Sequence, residues 1–133
     1  MNQRVRAIIN KGEKVLLIHR IKENNDYWVF PGGGIKSTDK DKKGALAREC
    51  KEELGVNIVV EDLYMTLKFQ ESLEFFYYCR IESGSLGKGS GPEFRKETRY
   101  VGEYKLKWVS LEDFESIDIK PQEVKNRLLD DVC

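Results

Sequence analysis

The chain has 133 residues, of which 40% are hydrophobic and 11% aromatic, a composition that suits one globular domain rather than a disordered segment. Lys plus Arg total 23 and Asp plus Glu total 23, so the formal net charge is zero. That argues against a protein whose main work is to coat nucleic acid, which needs a basic excess, and no stable nucleic-acid complex is expected. No apolar run approaches the roughly 20 residues that span a bilayer, and the start, MNQRVRAIIN, lacks a signal-peptide core. We therefore expect a cytoplasmic protein without a membrane partner.

In chain order, residues 4–9 (RVRAII) and 14–21 (KVLLIHRI) read as two strands joined by a turn at Asn10–Glu13, a hairpin. Tyr27-Trp28-Val29-Phe30 is a short strand-like run stopped by Pro31. Gly32-Gly33-Gly34 follows, three residues that make sense where the backbone turns tightly or approaches something closely. Residues 36–43 form a polar loop from which Asp39 or Asp41 can cap the next element. That element, ALARECKEELGV, is a helix: Leu46, Cys50 and Leu54 share one face, and Gly55 is placed to end it in the left-handed conformation. Asn57–Val60, Tyr64–Gln70 and Glu74–Ile81 read as three strands, and residues 82–91 as a Gly/Ser-rich loop. Tyr104–Val109 alternates as a strand. A short helical turn follows, with Ser110 and Asp113 as a capping box, and Pro121–Leu129 is a helix with Val124 and Leu128 inward. There is no internal repeat and no linker, so residues 1–133 are expected to be a single domain of the α/β class with a mixed sheet.

The chemistry concentrates on the central helix. Glu49, Glu52 and Glu53 gather at i, i+3, i+4 behind Arg48. Like charges at that spacing repel by roughly 0.2–0.5 kcal/mol, a cost a solvated face can bear. Alternatively, carboxylates one turn apart can close around a hard cation such as Mg²⁺, with glycine carbonyls of the preceding loop as further oxygen ligands and Arg48 holding a carboxylate in place.

The stretch Gly34–Val56, GIKSTDKDKKGALARECKEELGV, resembles the signature of the Nudix hydrolase family, G-x5-E-x7-R-E-U-x-E-E-x-G-U, where U is a bulky aliphatic residue. Gly34, Arg48, Glu49, Glu52, Glu53, Gly55 and Val56 match in place, and the PGG before the box and KWVSLEDF later resemble the family's usual surroundings. Two positions depart. Lys40 stands at the first Glu, unless one extra loop residue lets Asp39 take the acidic place, and Cys50 stands at an aliphatic position. The resemblance implies an α/β/α sandwich with a catalytic loop–helix. It implies hydrolysis of a diphosphate linkage in a nucleotide-like small molecule, with Mg²⁺ as cofactor and Mn²⁺ able to substitute. Metal ligands would be Glu49, Glu52, Glu53 and the Gly34 carbonyl, or that of Gly33, with Arg48 orienting a carboxylate. By the same resemblance Arg20 is a candidate for substrate phosphate, and Glu93 or Glu97 for a loop base, although each glutamate singly reads better as a surface residue. The Lys40 departure keeps a rival open, a non-catalytic nucleotide-binding module. A third reading is an interaction domain whose acidic helix is only solvated. Nucleoside triphosphate, nucleotide sugar and dinucleotide all stay open as substrates, with a lean toward the first, and oligomeric state stays open too.

His19, the only histidine, sits in a strand and reads as structural rather than catalytic. Cys50 and Cys79 read as small core residues, and Cys133 as a bystander. The basic loop residues Lys36, Lys40, Lys42 and Lys43, and the later Arg95, Lys96 and Arg99, read as solvated charges.

Overall fold

The computed structural model describes residues 2–87 and 103–131. In chain order the strands are β1 (Asn2–Lys11), β2 (Lys14–Lys22), β3 (Asn25–Val29) and β4 (Gly32–Gly34). Helix α1 (Lys42–Leu54) follows, then β5 (Val56–Phe69), β6 (Ser72–Gly84) and β7 (Glu103–Ser110). A 3-10 turn (Leu111–Ser116), β8 (Ile119–Lys120) and α2 (Gln122–Asp131) complete the order. This is an α/β fold with mixed sheet pairing, as expected.

The elements group into two compact units, Met1–Ile9 with Pro31–Tyr100, and Asn10–Phe30 with Val101–Cys133. In the first unit, β1 pairs parallel with β6 and antiparallel with β4, while β5 pairs antiparallel with β6. Helix α1 packs against β4 and β5. Its Ala45, Leu46, Cys50 and Leu54 are fully buried, as the 3.6-residue spacing predicts. Burying one such leucine stabilises by roughly 1.5–3 kcal/mol. Asp41 caps the helix by accepting from Gly44 N at 2.7 Å. Gly55, at φ 81°, ends it, donating its N–H to the Lys51 carbonyl.

In the second unit, β2 lies between β3 and β7, antiparallel to both, and β8 pairs parallel with β3. The hairpin turn is tight, since Lys11 pairs with Lys14. Val15, Leu16, Leu17, Ile18, Trp28 and Phe30 are buried, as are Phe114, Ile119, Val124 and Leu128.

Four expectations are corrected. The triple glycine is a strand rather than a tight turn, Gly34, Gly33 and Gly32 pairing with Arg4, Val5 and Arg6, while the close approach that was its other expected use is present. Asn57–Val60 and Tyr64–Gln70 form one long strand, β5, because register shifts around Val60–Met65 absorb the polar Glu61-Asp62 step without breaking the ladder. Ser110 makes no side-chain cap bond, so the Ser110/Asp113 box is absent. An Asp at that place is shorter than the Glu or Gln of a capping box. Strand β6 runs on to Gly84, so the Gly/Ser-rich loop starts later than expected.

Candidate functional site

Helix α1 and the segment before it build one hydrogen-bonded constellation, all within the first unit. Arg48 is its centre. Its Nε donates to Asp39 Oδ1 at 2.8 Å and its Nη2 to Asp39 Oδ2 at 2.9 Å, a bidentate fork. Nη1 donates to Glu49 Oε1 at 2.8 Å and Glu52 Oε2 at 3.1 Å, and Nη2 also reaches the Gly34 carbonyl at 3.1 Å. One guanidinium therefore ties the loop, β4 and two helix carboxylates together, using the fixed geometry that lysine lacks.

Asp39 is held from its own loop as well, accepting from Lys36 N at 2.7 Å. The Arg48 hydrogen bond, reinforced by that backbone N–H, pulls the Asp39 carboxyl down to about 2. The same pairing pushes the Arg48 guanidinium up, so its charge is permanent. Asp39 thus supplies the acidic partner that the ungapped signature seeks at Lys40, whose side chain is exposed. The physical reason is loop closure: Asp39 donates its N–H to the Lys36 carbonyl and accepts from the Lys36 N–H, and this turn sets its oxygens against Arg48.

The three glutamates do not share one direction. Glu53 Oε1 accepts from Gly32 N at 2.8 Å, while Glu49 and Glu52 share Arg48. Among the described residues, no group of three or more His, Cys, Asp or Glu side chains is arranged to hold a metal ion. The donors present are nevertheless all oxygens: the Glu49 and Glu52 carboxylates and the Gly34 carbonyl meet on one guanidinium. That chemistry fits a hard cation, and Mg²⁺ at a phosphate-processing site commonly takes only one or two carboxylates, keeping waters and substrate oxygens for the rest.

The glycines explain the closeness. An ideal Cβ on Gly33 would overlap the Glu49 carboxylate, lying 2.5 Å from its Cδ. Gly32 has φ 147°, and a Cβ there would lie 2.9 Å from the backbone of Arg6 and from that of Val5. The first glycine therefore lets β4 lie against β1, and the second gives Glu49 its space.

Cys50, at the signature's aliphatic place, is fully buried, and burial pushes its thiol up. Cys79 is buried too, its thiol pushed up to about 12 by desolvation. Both are free. Of the lysines expected in the polar loop, Lys42 and Lys43 belong instead to the first turn of α1, because Asp41 caps the helix just before them, and Lys42 lies 4.8 Å over the Phe75 ring.

In the second unit, His19 stacks on Trp28 with ring centroids 4.0 Å apart and planes 2° apart, and its Nε2 meets Asp26 Oδ1. Arg20 lies on β2, opposite Tyr27 of β3 and Tyr104 of β7. Glu93 and Glu97, like Arg95, Lys96, Arg99 and Cys133, lie outside the described residues. In the first unit, Arg4 and Arg6 of β1 alternate with apolar Val5 and Ala7 in a strand that becomes fully apolar at Ile8 and Ile9, and this alternation is the only mark they carry in the sequence.

The NUDIX domain model matches residues 1–130, and the chain belongs to that family, the Nudix hydrolases. A CTP pyrophosphohydrolase of Escherichia coli (strain K12) is 38% identical over 58 residues, a match that spans 42% of this chain and 42% of that protein. A NUDIX-family hydrolase from Clostridium perfringens superposes with TM-score 0.69 at 21% identity, covering 97% of this chain and 96% of the other. MutT, in a study of Aliivibrio salmonicida and Vibrio cholerae, superposes with TM-score 0.69 at 17% identity, covering 98% of both chains. At these identities the structural likeness speaks to the fold. No helix among the described residues is long and apolar enough to cross a membrane.

Proposed function

We propose that this protein is a Mg²⁺-dependent pyrophosphohydrolase that cleaves a diphosphate linkage in a nucleoside triphosphate or related nucleotide derivative, acting as a single catalytic domain in the cytosol. The observation that carries the reading is the Arg48 network, which joins Glu49, Glu52 and the Gly34 carbonyl in one place. Free, buried Cys50 and Cys79 suit a reducing compartment.

In this reading Glu49, Glu52, Glu53 and the Gly34 carbonyl hold the cation, and Arg48 is a positioning residue that keeps the two carboxylates and the carbonyl in register. When bound, Mg²⁺ (or Mn²⁺ in its place) supplies neutralisation of phosphate charge and acidifies water. Water oxygen attacks one phosphorus, the P–O bond on its far side breaks, and the leaving phosphate carries away the bridging oxygen. The water proton passes to a carboxylate, either one of α1 or Glu93 or Glu97 of the later segment. Arg20 is proposed for substrate phosphate. The relative that hydrolyses CTP puts that nucleotide first among candidate substrates. The rival reading, a non-catalytic binding module, has its motive in Lys40. Asp39 meets that charge reversal by reaching Arg48 itself, so the hydrolase reading is preferred.

The test is phosphate-product release over nucleoside triphosphates, nucleotide sugars and dinucleotides, with Mg²⁺, Mn²⁺ or chelator, beside Glu52→Gln and Glu53→Gln. Gln at 53 keeps an oxygen for Gly32 N, so the fold contact survives while the charge goes. Turnover should need the metal and fall on the order of 100-fold or more in the variants. Wild-type rates from either variant would remove the metal-site assignment.

A further inference from the structure

Arg4 and Arg6 stand at i and i+2 on β1, so their side chains leave the same face of the strand. Between β4 and β6 they have different neighbours, Gly34 and Glu74 for Arg4 and Gly32 and Phe76 for Arg6. Glu74, the only buried charged residue among those described, sits beside Arg4 in the parallel register. Its Oε1 nevertheless accepts from Arg6 Nε at 3.1 Å. Among the described residues no hydrogen bond or ion pair holds the Arg4 guanidinium, although the residue is half-buried.

Burial and the neighbouring Arg6 both work against that charge, lowering the Arg4 pKa, while Glu74, Glu49 and Glu53 favour it from a distance. An unpaired, partly desolvated guanidinium costs stability unless an anion arrives. On the other side of Arg4, its antiparallel partner is Gly34. A Cβ on Gly34 would meet nothing within 4 Å, so open space flanks Arg4 on the face it points to. Gly34 is also the residue whose carbonyl Arg48 holds.

We propose that Arg4 is a substrate-anion residue: its guanidinium binds phosphate oxygens of the diphosphate in the open space over Gly34, with Arg6 held off by Glu74. The inference rests on the pyrophosphohydrolase reading for the identity of the anion. Arginine suits the task because its planar fork matches two phosphate oxygens at once.

The test compares wild type, Arg4→Ala and Arg4→Lys, with Arg80→Ala, an exposed arginine beside Glu61, as control. Three quantities are read: KM and kcat on the best nucleotide of the panel, calorimetric affinity for inorganic pyrophosphate with Mg²⁺, and melting temperature. Arg4→Ala should raise KM and weaken pyrophosphate binding by about 10- to 100-fold, the range of a hydrogen-bonded charge contact. Its kcat should stay near wild type and its melting temperature should hold or rise, because no bonded partner is lost and a like-charge repulsion is relieved. Arg4→Lys should recover part of the affinity. Unchanged KM and pyrophosphate affinity in Arg4→Ala would overturn the proposal, as would a loss that follows a fall in melting temperature. If the wild type turns over no nucleotide, the hydrolase reading fails by itself, and the pyrophosphate titration still decides whether Arg4 binds the anion.

Discussion

Arg48 has five N–H donors, and the structure spends them on Asp39, Glu49, Glu52 and the Gly34 carbonyl. The residue-scale consequence is a pH dependence that belongs to Asp39. Its carboxyl, ordinarily at 3.8, is held at about 2 in the folded protein by Arg48 and the Lys36 N–H. A folded pKa below the unfolded one means that the ionised form is bound more tightly by the native state. The stabilisation is therefore complete above 3.8 and is lost as the pH falls through the interval down to about 2. Asp39→Asn should melt below wild type at neutral pH, and the gap should close as both are acidified through that interval. A gap that persists undiminished at the acid end would show that Asp39 contributes by loop shape and not by charge. The Arg48-to-helix half of the network was legible in the motif. The Asp39 half was visible only as one of two alternatives, because a contact nine residues apart depends on how the loop closes.

Among the elements, α1 and β4 divide the work, and their residues differ in how far sequence reaches them. The helix was readable because its signals are local: Leu46, Cys50 and Leu54 at helical spacing, a capping aspartate (Asp39 or Asp41, the structure choosing Asp41) before it and Gly55 after it. Strand β4 was not, because three glycines carry no strand propensity. Gly32–Gly34 becomes a strand only by pairing with β1, whose partners Arg6, Val5 and Arg4 lie 26, 28 and 30 residues away in sequence. The two inner glycines should fail differently when given a methyl. Gly32→Ala meets backbone at a φ of 147° and should cost about 1–3 kcal/mol or more, read as a lower denaturation midpoint. Gly33→Ala meets only the flexible end of Glu49, so its melting temperature should change little while turnover falls at least about tenfold as the carboxylate is displaced. Wild-type turnover in Gly33→Ala would mean that the position of Glu49 does not matter to the reaction.

At the scale of the whole molecule, the balance of 23 cationic and 23 anionic side chains leaves no net field to draw in a polyphosphate, so local cations must do it. A bound metal ion should then stabilise the native state by mass action, by about 2.7 kcal/mol at a hundredfold excess over Kd. Mg²⁺ should raise the melting temperature of the wild type by several degrees and leave a Glu49→Gln/Glu52→Gln variant unmoved. An equal shift in both would place the ion elsewhere. What the sequence by itself determined is the helix, its glycine stop, its inward face and the spacing of Arg48, Glu49, Glu52 and Glu53, along with the family those residues mark. All of these depend on neighbours within a few positions, where backbone geometry is nearly invariant. Tertiary structure alone decided that Asp39 rather than residue 40 meets Arg48, that Gly33 makes room for Glu49, and that Glu74 is taken by Arg6 while Arg4 is left beside open space. Each of those is a choice between partners brought together by strand pairing or loop closure, and the chain sequence sets no distance between them until the sheet has formed.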